Sequence, residues 1–127
     1  MYVLGQMVEA VKPGGLVLDL QVIRPNPIVE ADAEFVCEID GEPLFRTADA
    51  AAAAVDALVA SGQLLEQATH DHDVREHYVN GADLIDAFSD KRRQLPAEAL
   101  PGLRTLGRPC VVRERCRLRR LQVHHTT

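Results

Sequence analysis

Lys12-Pro13-Gly14-Gly15 runs straight into Leu16-Val17-Leu18-Asp19-Leu20, and this junction limits the possible folds more than any other stretch of the chain. Proline cannot donate a helical hydrogen bond, and paired glycines accept backbone angles closed to other residues. A helix must therefore stop here and the chain must reverse. Before the turn, Val3, Leu4, Met7, Val8 and Val11 recur at helical spacing, which predicts the end of an amphipathic helix over residues 3–11. After it, Leu16 to Ile23 is apolar apart from Asp19 and Gln21, which predicts a strand covered on both faces, as in a parallel sheet. Arg24-Pro25-Asn26-Pro27 ends that strand, because each proline lacks a ladder donor and restricts the residue before it.

A chain of 127 residues suffices for one domain with a modest core, so a single domain over residues 1–127 is expected. Aromatic residues make up 4% and Trp is absent, which leaves alanine, valine and leucine to fill the interior. The net charge of -5 argues against a nucleic-acid partner, since such proteins are usually basic. No stretch approaches the roughly 20 apolar residues that cross a bilayer, so no membrane partner is expected. Met1 to Ala10 places no basic residue ahead of its apolar stretch, unlike a signal peptide, and a cytoplasmic location follows as the expectation. Cys37, Cys110 and Cys116 are odd in number and widely spaced. That suits neither a disulfide framework nor a CxxC metal site, and predicts buried or half-buried thiols in a reducing compartment.

Asp40-Gly41 lies between two short apolar runs of residues 33–45, which predicts a hairpin turning there, weakened by Pro43. Thr47 to Ser61 reads as a helix, capped by Thr47 or Asp49, rich in alanine, with Val55, Leu58 and Val59 on one face and Gly62 as its left-handed cap. Leu64 to Tyr78 alternates over a long strand with room for a bulge. Leu64, Ala68, His70, His72, Val74 and Tyr78 fall on one face, and Leu65, Gln67, Thr69, Asp71, Asp73, Arg75 and His77 on the other. Asn80 caps a short helix carrying Leu84, Ile85 and Phe88. Residues 96–106 form another helical stretch, with Pro101 as a bend. Cys110 to Val123 is the last strand, with Arg113, Arg115, Arg117 and Arg119 on one face and Val112, Glu114, Cys116, Leu118 and Arg120 on the other.

This order, with its PGG turn, resembles the C-terminal part of class I S-adenosylmethionine-dependent methyltransferases. The resemblance implies an α/β fold, a small mixed sheet with packed helices, in which Leu16–Ile23 match the family's fifth strand, Leu64–Tyr78 the sixth and Cys110–Val123 the seventh. The specific match covers residues 3–23, and the remainder rests on the order of elements. The family holds its cofactor with a glycine-rich loop after its first strand and with acidic residues after its first two strands. Gly14-Gly15 lead into a strand, not out of one into a helix, and Gly5 stands alone in the first helix. No cofactor-binding or catalytic residue carries over, and no cofactor is expected for this chain. A shortened descendant, one piece of a split enzyme and the tail of a longer protein all fit the sequence.

Thr69-His70-Asp71-His72-Asp73 is the strongest chemical candidate. On a strand, His70 and His72 share a face and can approach one metal ion, which would need further ligands from Cys37, Cys116, Glu66 or a second copy's histidine. The plainer reading is a polar strand on a solvated face, and no metal is assigned. His124 and His125 are terminal and carry no role. The arginine row can face Asp71 and Asp73 if the two long strands pair antiparallel. Otherwise it serves an acidic partner, a subunit interface or nucleic acid. Ser61 and Ser89 have no activating His/Asp arrangement, and Asp19 is expected in a hydrogen-bonded structural role or at a sheet edge or cleft.

A fifth strand without its usual neighbour leaves unpaired backbone groups that something must cover. A homodimer through the exposed sheet edge is expected, with a protein partner supplying the missing strands as the other possibility, and the residue 33–45 hairpin as a cap for the edge. The leading functional expectation is a non-catalytic, methyltransferase-like module that self-associates or completes a partner. A split methyltransferase and a small metal-binding protein using His70 and His72 are the alternatives.

Overall fold

The computed structural model describes residues 14–88 and 93–124. The chain is mixed α/β. In order it contains β1 (Leu16–Val22), β2 (Ile28–Ala31), β3 (Glu34–Glu38), α1 (Glu42–Ala60), β4 (Leu64–Tyr78), α2 (Gly81–Ala87), a 3₁₀ turn (Ala97–Ala99), α3 (Leu100–Thr105) and β5 (Cys110–Val123). The strands follow the order β1-β5-β2-β3, with β4 also paired to β5. The expected helix over residues 3–11 lies outside the described residues.

The sheet corrects the expected mixture of directions, because neighbouring strands run antiparallel. β2 is antiparallel to both β3 and β5. At β1, Val123 N–H donates to Gly15 O at 2.8 Å and Ile23 N–H to Arg115 O at 2.8 Å, so the two strands run in opposite senses. β4 meets β5 in the same way, with Gln67 beside Gln122 and Asp71 beside Arg117. β1 is also not covered on both faces: Val17 is buried, while Leu16, Leu18 and Leu20 are about half exposed or more. An antiparallel strand with one open face explains this alternation better than the buried parallel strand its apolar run suggested.

The hairpin lies upstream of its expected place. It joins β2 to β3 through Asp32 and Ala33, whose φ angles are 52° and 63°. Two positive-φ residues suit the twist of a two-residue hairpin, but alanine pays a steric cost there, so no Asn-Gly signal marked the turn. Asp40-Gly41 instead opens α1: the Asp40 carboxylate accepts from Glu42 N–H at 3.0 Å and Phe45 N–H donates to Gly41 O at 2.8 Å. Pro43 sits in the first helical turn, where its missing N–H costs nothing. The helix thus starts five residues before the expected Thr47. Gly62, at φ 82°, closes it as expected.

The chain divides into two compact units. The first comprises Met1–Gln21, Thr47–His72 and Cys116–Thr127. Its core joins Val17, Val55, Leu64, Leu121 and Val123, flanked by Leu58 and Val59, so the predicted helical face is the one that packs. Each of these side chains contributes roughly 1.5–3 kcal/mol by leaving water.

The second unit comprises Val22–Arg46 and Asp73–Arg115. Val29, Ala31, Cys37, Ile39, Leu84, Leu103, Cys110 and Val112 form its core, with Tyr78, Ile85 and Phe88 against it. Asn80 caps α2 as expected, its side chain accepting from Asp83 N–H at 2.8 Å, an arrangement that contributes about 1 kcal/mol.

β5 shows one change of phase. Cys110, Val112, Glu114 and Cys116 are buried at alternate positions, and then Arg119, Leu121 and Val123 are buried. Arg119, at an odd position like Arg113, Arg115 and Arg117, is buried where those three stay partly exposed.

Candidate functional site

Charged side chains on the long strands are matched to one another. In the first unit, Arg117 grips Asp71 with two bonds of 2.8 and 3.0 Å. Arg119, only 8% exposed, reaches Asp56 and Glu66, each at 2.9 Å. In the second unit, Asp73 lies 3.2 Å from Arg115 and 3.5 Å from Arg113, and Arg113 Nε donates to Glu30 at 2.8 Å. The arginine row is therefore internally paired, as the antiparallel reading of the two strands anticipated.

These pairings bias the carboxylates toward their charged form. The hydrogen bond from Arg119, followed by that from Thr69, holds Glu66 below the usual carboxylate range. Arg115 does the same for Asp73 by hydrogen bonding and proximity, joined by Arg113. A carboxylate with a depressed folded-state pKa stabilises the fold above the ordinary value of about 4, and that stability is lost as pH falls through the depressed values. The urea midpoint is expected to hold between about pH 7 and 5 and to drop below about pH 4. A midpoint unchanged at about pH 3 would contradict the pairing.

Arg93, Glu76, Glu114 and Tyr78 form a network that the sequence did not suggest. Arg93 Nη1 bonds both Glu114 and Glu76, the latter at 3.0 Å, and its guanidinium lies 4.5 Å from the centre of the Phe88 ring. Tyr78 donates to Glu76 at 2.6 Å. Burial, aided by the bond to Glu76, pushes the Tyr78 hydroxyl up to about 12. Burial works to raise Glu76, but its bonds from Tyr78 and Arg93 outweigh that and hold it low. The only hint in the sequence was Glu114 on the face of β5 that also carries Val112 and Cys116. Every member has a partner, so the cluster acts as a structural pin.

His70 and His72 share a face of β4 as expected, with ring centres 5.4 Å apart and planes at 15°. Among the described residues no group of three His, Cys, Asp or Glu side chains is placed to hold a metal ion. Glu66, named above as a further ligand, is taken up by Arg119 and Thr69. Burial raises the thiols of Cys37 and Cys110, which makes both poor nucleophiles. Ser61 Oγ donates to Leu58 O at 3.0 Å, and Ser89 lies outside the described residues.

Two shallow clefts occur in the second unit, each of about 310 Å³. One is lined by Pro25, Asn26, Ile28, Asp73, Arg113 and Arg115. The other, beside the β2–β3 turn, includes Glu30, Arg75 and Arg113. Arginine and carboxylate neutralise one another in both, which leaves little charge to select a ligand.

β1 is different. It ends the strand order, and among the described residues no strand pairs with its other edge. Leu16, Leu18 and Leu20 are 47%, 63% and 56% exposed. Asp19, expected in a structural role or at an edge, is on this strand and accepts from Gln21 at 2.9 Å. β4 also presents an open edge, but it carries Asp, Glu, Arg and His throughout its length. Charged side chains of that kind discourage pairing with another chain. β1 has one charged residue in seven. The alternation of Leu16, Leu18 and Leu20 with Val17, Asp19 and Gln21 was the available signal, hidden because every second polar position was read as an interruption of an apolar run. Among the described residues no helix is long and apolar enough to cross a membrane. Comparisons with protein families, with curated proteins and with solved structures find no match to this chain.

Proposed function

We propose that this chain is a non-catalytic interaction module, similar to the C-terminal part of a class I methyltransferase, that self-associates or completes a partner protein through β1. The observation that carries the reading is the open, weakly guarded edge of β1 with its exposed leucines. A sheet edge offers a row of unsatisfied donors and acceptors, and a neighbouring apolar patch adds hydrophobic gain to pairing. The likeness to the methyltransferase sheet is drawn from the sequence, from Pro13-Gly14-Gly15 ahead of the apolar run and from the order of the elements after it. The non-catalytic reading rests on the pairing of the arginines with carboxylates and on the raised thiols of Cys37 and Cys110.

Light scattering tests the module. The chain is expected to run above its own mass of 14.0 kDa at micromolar concentration, and Leu18→Lys is expected to return it to that mass with the fold intact by circular dichroism. A chain that remains at 14.0 kDa up to high micromolar concentration, alone and after mixing with lysate fractions, would contradict the reading. Calorimetry with S-adenosylmethionine separates module from enzyme, with no heat of binding expected.

A further inference from the structure

We infer that a second copy of this chain occupies the β1 edge in one defined register, a two-fold antiparallel pairing centred on Leu20. The inference rests on the interaction-module reading and adds the partner and the residue at the axis.

Hydrogen-bond direction comes first. At one end of β1, Gly15 O accepts from Val123, and at the other, Ile23 N–H donates to Arg115. Both are odd-numbered, and backbone groups alternate sides along a strand. Odd positions therefore bond β5, and Leu16, Leu18, Leu20 and Val22 turn their N–H and C=O toward the open edge. Any incoming antiparallel strand must pair through these even positions.

Three two-fold registers keep most of the strand paired. Centring on Asp19 sets Asp19 directly against its own copy, at a non-hydrogen-bonded position where side chains approach most closely, and like charges there destabilise. Centring on Leu18 sets Asp19 against Val17, which is buried in the core of the first unit. Centring on Leu20 sets Leu18 against Val22, Asp19 against Gln21 and Leu20 against itself. Within residues 18–22 every apolar residue then meets an apolar one, and each carboxylate meets a carboxamide that already bonds Asp19 within its own strand at 2.9 Å. Residues 18–22 are thus self-complementary in side-chain class and in hydrogen-bond direction, as an isologous interface requires. β3, the other end of the strand order, lacks this property: pairing centred on Val36 opposes Glu34 to Glu38.

Single cysteines read the register directly. Leu18→Cys, Asp19→Cys and Leu20→Cys are made one at a time in the full chain and oxidised under mild conditions at micromolar concentration. Directly opposed, hydrogen-bonded residues have Cα atoms about 5.5 Å apart, within disulfide range. The native thiols Cys37, Cys110 and Cys116 are buried and act as the common background. Leu20→Cys is expected to form the covalent dimer at least tenfold more readily than the other two. A dimer that crosslinks best through position 18 or 19 overturns the Leu20 register and leaves β1 self-association standing. A wild-type chain that is dimeric but crosslinks at none of the three overturns β1 as the contact. A wild-type chain that is monomeric, with no crosslink, overturns the second copy as occupant.

Discussion

Arg93→Ala is expected to cost about 3 kcal/mol of folding stability, because it strips a bonded cation from a buried carboxylate. The Glu114 side chain is 7% exposed and bonds Arg93, which also holds Glu76 at 3.0 Å. Two opposing effects decide the size. Removing one partner from a buried pair costs about 3–5 kcal/mol, since the remaining charge has no water to turn to. Arg93 is itself about a quarter exposed, which admits some solvent and places the cost at the lower end. Lost packing of the guanidinium over Phe88 adds a smaller amount. Glu114→Gln in the Arg93→Ala background is expected to recover part of the loss, because a neutral amide tolerates burial better. Urea unfolding of the parent, the single and the double variant measures this. An Arg93→Ala midpoint within about 1 kcal/mol of the parent would mean Glu114 finds other partners.

Gly81→Ala is expected to be at least as damaging. A Cβ at Gly81 would stand 1.9 Å from the carbonyl oxygen of Leu103 and 2.7 Å from its carbonyl carbon. That obstacle is backbone, so no side-chain rotation relieves it. The approach is held from the other side by Gly81 N–H donating to Leu106 O at 2.9 Å. α2 and the end of α3 would have to separate, and with them Leu84 and Leu103, both fully buried. Overpacking usually costs about 1–3 kcal/mol, and a backbone clash of this depth belongs at or beyond the top of that range. Gly102→Ala is the matched control. Its Cβ would meet nothing within 4 Å, and it sits within α3, so alanine is expected to add about 0.5–1 kcal/mol. Thermal unfolding of the two variants should shift in opposite directions, and equal shifts would refute the packing described here.

The parts of the fold that could be read in advance were those in which local chemistry acts alone. The long strands Leu64–Tyr78 and Cys110–Val123 alternate strongly enough to place both their ends, and Asn80 and Gly62 mark helix ends by side-chain and backbone rules that need no tertiary context. Asp40-Gly41 misled because an aspartate followed by glycine suits a hairpin and a helix entry alike, and Pro43 decides between them only once its place in a first helical turn is recognised. The hairpin at Asp32-Ala33 was invisible because alanine seldom accepts a positive φ. Arg119 keeps the alternation of its row but is buried beside Asp56 of α1 and Glu66 of β4, a cover that strand alternation alone does not reveal. Among candidate site features, the Asp71–Arg117 and Asp73–Arg115 pairs were legible from strand alternation. The Arg93 network was not, since it joins residues from three separate stretches of chain.

Amide exchange along β1 probes the open edge most directly, with NMR reading Leu18, Leu20 and Val22 individually. If β1 receives a strand, these outward amides are protected at concentrations where the mass exceeds that of one chain. They lose that protection on dilution and in Leu18→Lys, while Ile23, bonded to Arg115, stays protected throughout. Fast exchange of Leu18 and Leu20 at every concentration, in a chain whose Ile23 amide is protected, would show that the edge of β1 stays unpaired in solution.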